Sequence, residues 1–308
     1  MRFGMSLAGG ERSLSAYLDQ IVHHEEAGLD SVWCGQLFGV DALTIFALAG
    51  ARTTRISFGT SILPTYVRHP LLLASQALTT QAATDGRLVV GIGSSHRALV
   101  EDVLGIDYQR PAAYLREYLT VLPPLLRGER LTHTGELIRV DTTGQFGRAN
   151  VVGADAPPVY VGTMFPLSLK VAGQLADGVI TWLVGPNTLA DEVIPLVRTA
   201  AAEAGRPRPR VVAGIPMAVC ASGDAERHAE LVNKRLRRFV ALPVYERVLA
   251  RENATGPADL AAIGDEETVA ARLRLFADAG VDEVYGVCFG DDDTLLRTAE
   301  FLGGLSRA

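Results

Sequence analysis

Eight short apolar stretches alternate with helical patterns along a chain of 308 residues. The stretches are Arg2 to Leu7, Ser31 to Cys34, Ile56 to Ile62, Arg87 to Ile92, Val159 to Val161, Gly178 to Trp182, Val211 to Val219 and Val281 to Val287. Between them lie segments with helical spacing. Leu14, Tyr17, Leu18, Ile21 and Val22 share one face, with Ser13 as a plausible N-cap and Gly28 as the stop. Asp41 heads the next helix and Pro70 the one after it. Further helical patterns run from Leu167 to Ala176, Leu189 to Ala204, Ala225 to Arg251, Glu266 to Ala279 and Thr294 to Leu305. Strands that are each followed by a helix, eight times over, predict an α/β fold of the (β/α)8 TIM barrel type.

The rhythm breaks once. Leu131 to Val140 reads as two short strands around Thr134-Gly135, inside an insertion of about residues 128–157. No composition shift divides the chain, so residues 1–308 read as a single domain. A doubly wound open sheet would need a glycine-rich phosphate loop after its first strand. Gly9-Gly10 follows that strand without the third glycine, and Gly91-Ile92-Gly93 ends on His96 instead. The barrel is therefore the better reading.

Composition narrows the function classes. Hydrophobic residues make up 48% and charged residues 21%, enough for a large core. A net charge of -6 argues against a general nucleic-acid binder. No apolar run is long enough for a membrane span, and the first residues lack a signal-peptide pattern. Cys34, Cys220 and Cys288 are far apart, which fits a reducing, cytoplasmic setting. His23 and His24 are adjacent on a helix and point about 100° apart, so they suit no shared metal. No metal site is expected.

Barrel active sites lie at the carboxyl ends of the strands. That rule selects Met5 and Ser6, Cys34 and Gln36, Thr60 to Ile62, Ser94 to His96, Gly162 to Met164, Thr181 and Trp182, and Cys288 and Phe289. The set is small, neutral and apolar. It lacks paired carboxylates and clustered metal ligands. Such a pocket suits a flat cofactor ring that brings its own chemistry. The ordinary structural readings stand beside these. His69 before Pro70 reads as a loop-shaping residue, Cys34 as a small buried hydrophobe, and Asp291 to Asp293 as the cap of the last helix. Lys234 to Arg238 read as a solvated helix face.

Several stretches carry a resemblance. Glu26-Ala-Gly-Leu-Asp-Ser-Val-Trp33, Arg68-His69-Pro70 and Gly86-Arg87-Leu88 leading to Gly91-Ile92-Gly93 resemble the bacterial luciferase-like family of flavin and deazaflavin oxidoreductases. Pro158 to Gly162, Ala176 to Ile180, Gly264 to Val269 and Ala279 to Val284 resemble its deazaflavin branch. The resemblance implies a hydride transfer between coenzyme F-420 and a small organic substrate. An FMN-dependent monooxygenase and a non-catalytic flavin-binding barrel are the alternatives. It also implies a homodimer. By position, Ser61 and Ile62 would back the cofactor ring, joined by a cis peptide bond. Ser94 and Ser95 would line the ring or its tail, and Gly162, Thr163, Met164 and Phe165 would meet the phosphate-bearing tail. Thr181 and Trp182 complete the expected cofactor contacts. Met5, Cys34 and Gln36 would form the substrate wall, with His96 as the candidate acid or base. Phe165 and His96 depart from the pterin-reductase pattern, which has glycine and an acidic residue there.

Overall fold

The computed structural model describes residues 1–7, 12–36, 38–145 and 147–307. The Gly9-Gly10 pair lies outside the described residues. The eight expected strands are β1 (Arg2–Ser6), β2 (Ser31–Cys34), β3 (Ser57–Thr60), β4 (Leu88–Gly93), β5 (Val159–Gly162), β6 (Gly178–Trp182), β7 (Arg210–Val219) and β8 (Glu283–Val287). Each pairs in parallel with the next, and β8 pairs in parallel with β1, so the barrel closes. Closure leaves none of these eight strands with a free edge.

Local chemistry sets the element ends. The Ser13 hydroxyl accepts the Ala16 N–H and starts the helix Leu14–Ala27. Gly28 ends it at φ 99°, a left-handed conformation that costs glycine little. Asp41 caps the helix Ala42–Gly50 through the Thr44 N–H at 2.9 Å. His69 caps the helix Pro70–Ala83, its Nδ1 accepting the Leu71 N–H at 3.3 Å. Asp291 caps the last helix through the Thr294 N–H at 2.9 Å.

The structure differs from the sequence reading in three places. The expected third strand is split: after β3 the peptide Ser61–Ile62 is cis, and Leu63–Pro64 then pairs with the end of β4. The helix expected over Ala225 to Arg251 is two, Ala225–Val240 and Pro243–Arg251. Pro243 disfavours helical backbone at Leu242 and begins the second helix. A short strand, Ala262–Gly264, pairs with the far end of β7, which at ten residues outruns its barrel neighbours. The insertion holds an antiparallel hairpin of Thr132–Thr134 and Arg139–Asp141. Its turn is pinned by Glu117, whose carboxylate accepts the N–H groups of Glu136, Leu137 and Ile138.

Candidate active site

Strand register decides which side chains enter the barrel. Residues paired directly across neighbouring strands face the same way. Trp33, Tyr160, Ile180, Val212 and Tyr285 come from five strands and pack into one cluster, with Ile62, Val89 and Val287 against it. Only the lumen is common to all of them. Following the pairing round the barrel, Gly4, Gly59, Gly91, Gly162, Gly178 and Gly214 face inward too. Of these, Gly4, Gly59, Gly178 and Gly214 make room for the aromatics. A Cβ on Gly59 would lie 2.4 Å from the Trp33 ring, and one on Gly214 would lie 2.4 Å from the Tyr285 hydroxyl oxygen.

The lower lumen is a filled plug. Trp33 and Tyr285 stack with centroids 5.3 Å apart. The Trp33 indole N–H donates to Glu283 Oε1 at 2.8 Å and to Ser31 Oγ at 2.9 Å. Arg2 lies 3.6 Å from the other Glu283 oxygen. The buried carboxylate is thus paired and hydrogen-bonded, as burial of a charge demands. Burial pushes the Tyr285 phenol up to about 12, opposed by a hydrogen bond with the Ser61 side chain. That bond ties the plug to the mouth above it.

The mouth is built around the Ser61–Ile62 bulge. The Ser61 N–H donates to Cys34 O at 2.8 Å, and the Gln36 N–H donates to Ile62 O at 3.2 Å. The Ile62 side chain spreads over Gly93 and Gly162; a Cβ on Gly162 would meet its Cγ2 at 2.4 Å. Ser61, Ile62 and Gly162 are therefore brought together, each half-buried. Ser94, Ser95 and His96 follow at the end of β4. Ser95 has φ 61°, and Leu183, just past β6, has φ 57°. Left-handed backbone at a non-glycine is uncommon and concentrates at functional sites. Thr163 Oγ1 accepts the Phe165 N–H at 3.2 Å, and no side chain caps the helix Pro166–Leu175 that follows. Pro166 has no N–H, so the first-turn groups left for an anion are those of Leu167 and Ser168. Met164 packs partly against the core, and Phe165 is 54% exposed. Trp182, half-buried, is in phase with the inward residues of β6.

Four expected contacts are placed otherwise. Met5 pairs with Gly286 and faces outward; a Cβ on Gly286 would meet both Met5 Sδ and Met217 Sδ in the layer under the helices. Cys34 pairs with Thr60, again on the outward row. It is buried, and burial with nearby Asp41 raises its thiol to about 12, so it is an inert hydrophobe. Thr181 pairs with Ala213 outward, its hydroxyl directed at Val212 O at 3.5 Å. These three were chosen as strand-end residues without regard to phase, and a strand's alternate residues face opposite ways. The Gln36 side-chain oxygen accepts the Ala42 N–H at 2.9 Å, which turns it toward the start of a helix.

His96 is open to solvent on one side and meets the edge of Phe239 on the other, centroids 5.6 Å apart. Its partial burial lowers its pKa, so the imidazole is neutral at pH 7. A group of aromatics near this loop escaped the sequence reading. Tyr66 stacks on Tyr114 at 4.3 Å and leans on Tyr108 at 5.1 Å, and the Tyr108 hydroxyl donates to Ser95 O at 3.1 Å. Arg97 lies 5.1 Å above the Tyr108 ring. These tyrosines are scattered over segments of different type, so no local spacing announces the cluster.

Comparison with known proteins agrees with this architecture. The chain is 32% identical over 241 residues to the F420-dependent glucose-6-phosphate dehydrogenase of Nakamurella multipartita, covering 74% of this chain and 70% of that one. It is 26% identical to the 5,10-methylenetetrahydromethanopterin reductase of Methanopyrus kandleri, covering 97% and 88%. The solved coenzyme F420-dependent tetrahydromethanopterin reductase of Methanopyrus kandleri superposes with a TM-score of 0.83 at 22% identity, covering 98% of this chain and 97% of that one. More distant folds of the same shape include a Baeyer–Villiger monooxygenase from Pseudomonas putida in complex with FMN, at 17% identity and a TM-score of 0.78, covering 98% and 96%. The family model for luciferase-like monooxygenases matches residues 1–283, so the chain belongs to the luciferase-like monooxygenase family.

Proposed function

We propose that this protein is an oxidoreductase that moves a hydride between coenzyme F-420 and a small organic substrate at the barrel mouth. The carrying observation is the mouth itself: at the carboxyl ends of β4 and β5 the Ile62 side chain lies across Gly93 and Gly162, where a Cβ at either would meet it. Larger residues at either glycine would fill that shelf. Relatives at about 30% identity are named for F420-dependent reactions, which favours the deazaflavin over FMN.

The residues present fit such a group. Ser61 and Ile62 would back a planar ring, and Ser94 and Ser95 would flank it. Gly162 to Phe165 and the open N–H groups of the helix at Pro166 would take a phosphate. The bound coenzyme supplies the hydride or accepts it. The chain's own part is to hold two reactants in contact and keep water out, so its effect is chiefly orientation. His96, neutral at pH 7, has one nitrogen free of a proton and can take one from a substrate hydroxyl.

Titration with F-420 and with FMN, followed by fluorescence, tests the reading. Tighter binding of F-420, with the reduced complex stable in air and oxidised only on adding substrate, is the expected result. Tighter binding of FMN, with rapid oxygen consumption by the reduced complex, would replace it with a monooxygenase. Binding without any turnover would leave a carrier barrel.

A further inference from the structure

The His96 side chain is held by little of its own. Among the described residues no hydrogen bond engages its imidazole, whose ring meets Phe239. Where the imidazole stands therefore follows from its backbone. That backbone leaves Ser95, which has φ 61°. A serine does not stay left-handed unless its surroundings hold it there.

The chain from Ser95 to Tyr108 closes on itself. The His96 carbonyl accepts the N–H groups of Leu99 at 3.0 Å and Val100 at 3.1 Å, leading into the π-helical turn Ala98–Val103. The Ile106 N–H donates back to Val100 O at 2.9 Å. Glu101 pairs with Arg97 and accepts the Tyr108 N–H at 3.3 Å. At the far end the Tyr108 hydroxyl returns across 13 residues and donates to Ser95 O at 3.1 Å.

Tyr108 is itself fixed from outside this loop. Its ring leans on Tyr66, in the short turn Thr65–Val67 that follows Leu63–Pro64, and Tyr66 stacks on Tyr114 of the helix Pro111–Leu126. The Tyr66 hydroxyl donates to Gln109 O at 3.0 Å, and the Tyr114 hydroxyl donates to Thr65 O at 3.3 Å. The loop that carries Ser61 and Ile62 and the loop that carries Ser94 to His96 are thus tied through one aromatic stack.

We propose that Tyr108 is a positioning residue: its hydroxyl holds Ser95 left-handed and so fixes where the His96 imidazole stands relative to the shelf of Ile62, Gly93 and Gly162. Tyr108 acts through His96 and touches neither reactant. What His96 does there rests on the reading of function above; where it stands does not. Without the hydroxyl, Ser95 relaxes to an ordinary negative φ, its carbonyl turns, and the imidazole leaves Phe239.

Tyr108→Phe removes one oxygen and keeps the ring in its stack. Tyr114→Phe is the control: it takes a hydroxyl from the same stack, one that bonds Thr65 O and not the His96 loop. Each variant loses one hydrogen bond, so both melting temperatures fall by no more than about 3 °C. Two measurements on the whole protein without cofactor separate them. NMR follows the imidazole Cε1–H line of His96, assigned with His96→Gln. Diethyl pyrocarbonate follows the acylation rate of His96, located by mass spectrometry. In Tyr108→Phe the line moves toward that of free histidine and the rate rises at least about three-fold, whereas in Tyr114→Phe the line stays and the rate changes less than about two-fold. An unmoved line and rate in Tyr108→Phe overturn the proposal, and so does an equal effect in Tyr114→Phe, which would mean general loosening of the stack. Failure of wild type to bind F-420 would remove the proposed function, and the two His96 measurements, which need no cofactor, would still decide this assignment.

Discussion

At the scale of single residues, small inward side chains shape the mouth. Gly162 is the most constrained of them at the surface of the shelf, since any Cβ there meets Ile62 Cγ2 at 2.4 Å. Gly162→Val should push Ile62 across the shelf. We expect cofactor affinity to fall at least about ten-fold, or about 1.4 kcal/mol. The melting temperature should fall by only a few degrees, because the displaced side chain is half-exposed and can swing outward. Fluorescence titration and a thermal melt on one preparation compare the two. Intact folding with unchanged affinity would mean that the ring does not rest on Ile62. Met5 and Cys34 show the converse. Both stand at strand ends, yet their outward phase removes them from the lumen.

At the scale of elements, much of the family signature is joinery below the site. Arg87, in the Gly86-Arg87-Leu88 stretch, donates to Thr84 O, Ile56 O, Gly50 O, Thr53 O and Thr53 Oγ1. Its guanidinium also lies 5.1 Å from the centre of the Phe58 ring. One side chain thus closes the carbonyl ends of a helix and a loop against the starts of β3 and β4. Asp30, from the signature around β2, accepts the Phe3 N–H at 2.9 Å and the Ser306 hydroxyl at 2.8 Å, joining β1 to the last helix. Arg87→Ala strands several half-buried carbonyls, at a cost of about 2–3 kcal/mol. Arg87→Lys should recover less than half, because an ammonium cannot reproduce the planar fork. Urea midpoints at constant slope give both values. Indistinguishable Lys and Ala variants would argue for the charge on Phe58 and against the fork, and an Ala variant as stable as wild type would discount both.

At the scale of the whole molecule, closure makes stability a shared property, and acid should expose it. His24 is fully buried on the inner face of the first helix, and burial with neighbouring His23 lowers its pKa to about 3. His228 and His96 are lowered too, each chiefly by burial. The unfolded chain takes up protons near pH 6.5 that the folded chain refuses. For His24 that contribution is therefore whole above pH 6.5 and is lost as pH falls toward 3, by about 1.4 kcal/mol per pH unit, and His96 and His228 act in the same direction. Chemical denaturation at pH 7.5, 6.0 and 5.0 measures the slope, and a His24→Gln variant that still folds should flatten it. An unchanged slope in that variant would assign the acid sensitivity to other groups.

The barrel was legible because its cause is local. Eight apolar runs, each followed by a helix-compatible segment with Ser13, Asp41, Pro70 and Gly28 at the boundaries, leave few ways to bury every strand on both faces. The mouth was legible in outline, since Ser61, Ile62 and Gly162 do converge there. The direction in which each strand-end residue points was not. Phase within a closed barrel depends on register between strands, and register arises from pairing partners distant in the chain. The same holds for the Trp33–Tyr285 stack and for Phe239 against His96. Each joins residues far apart in sequence whose spacing carries no period, so only the folded chain could bring them together. By itself the sequence determined which segments become strands and helices, because hydrogen bonding and apolar periodicity act over a few residues. Tertiary structure alone decided which side chains face the lumen, because that choice is made between strands.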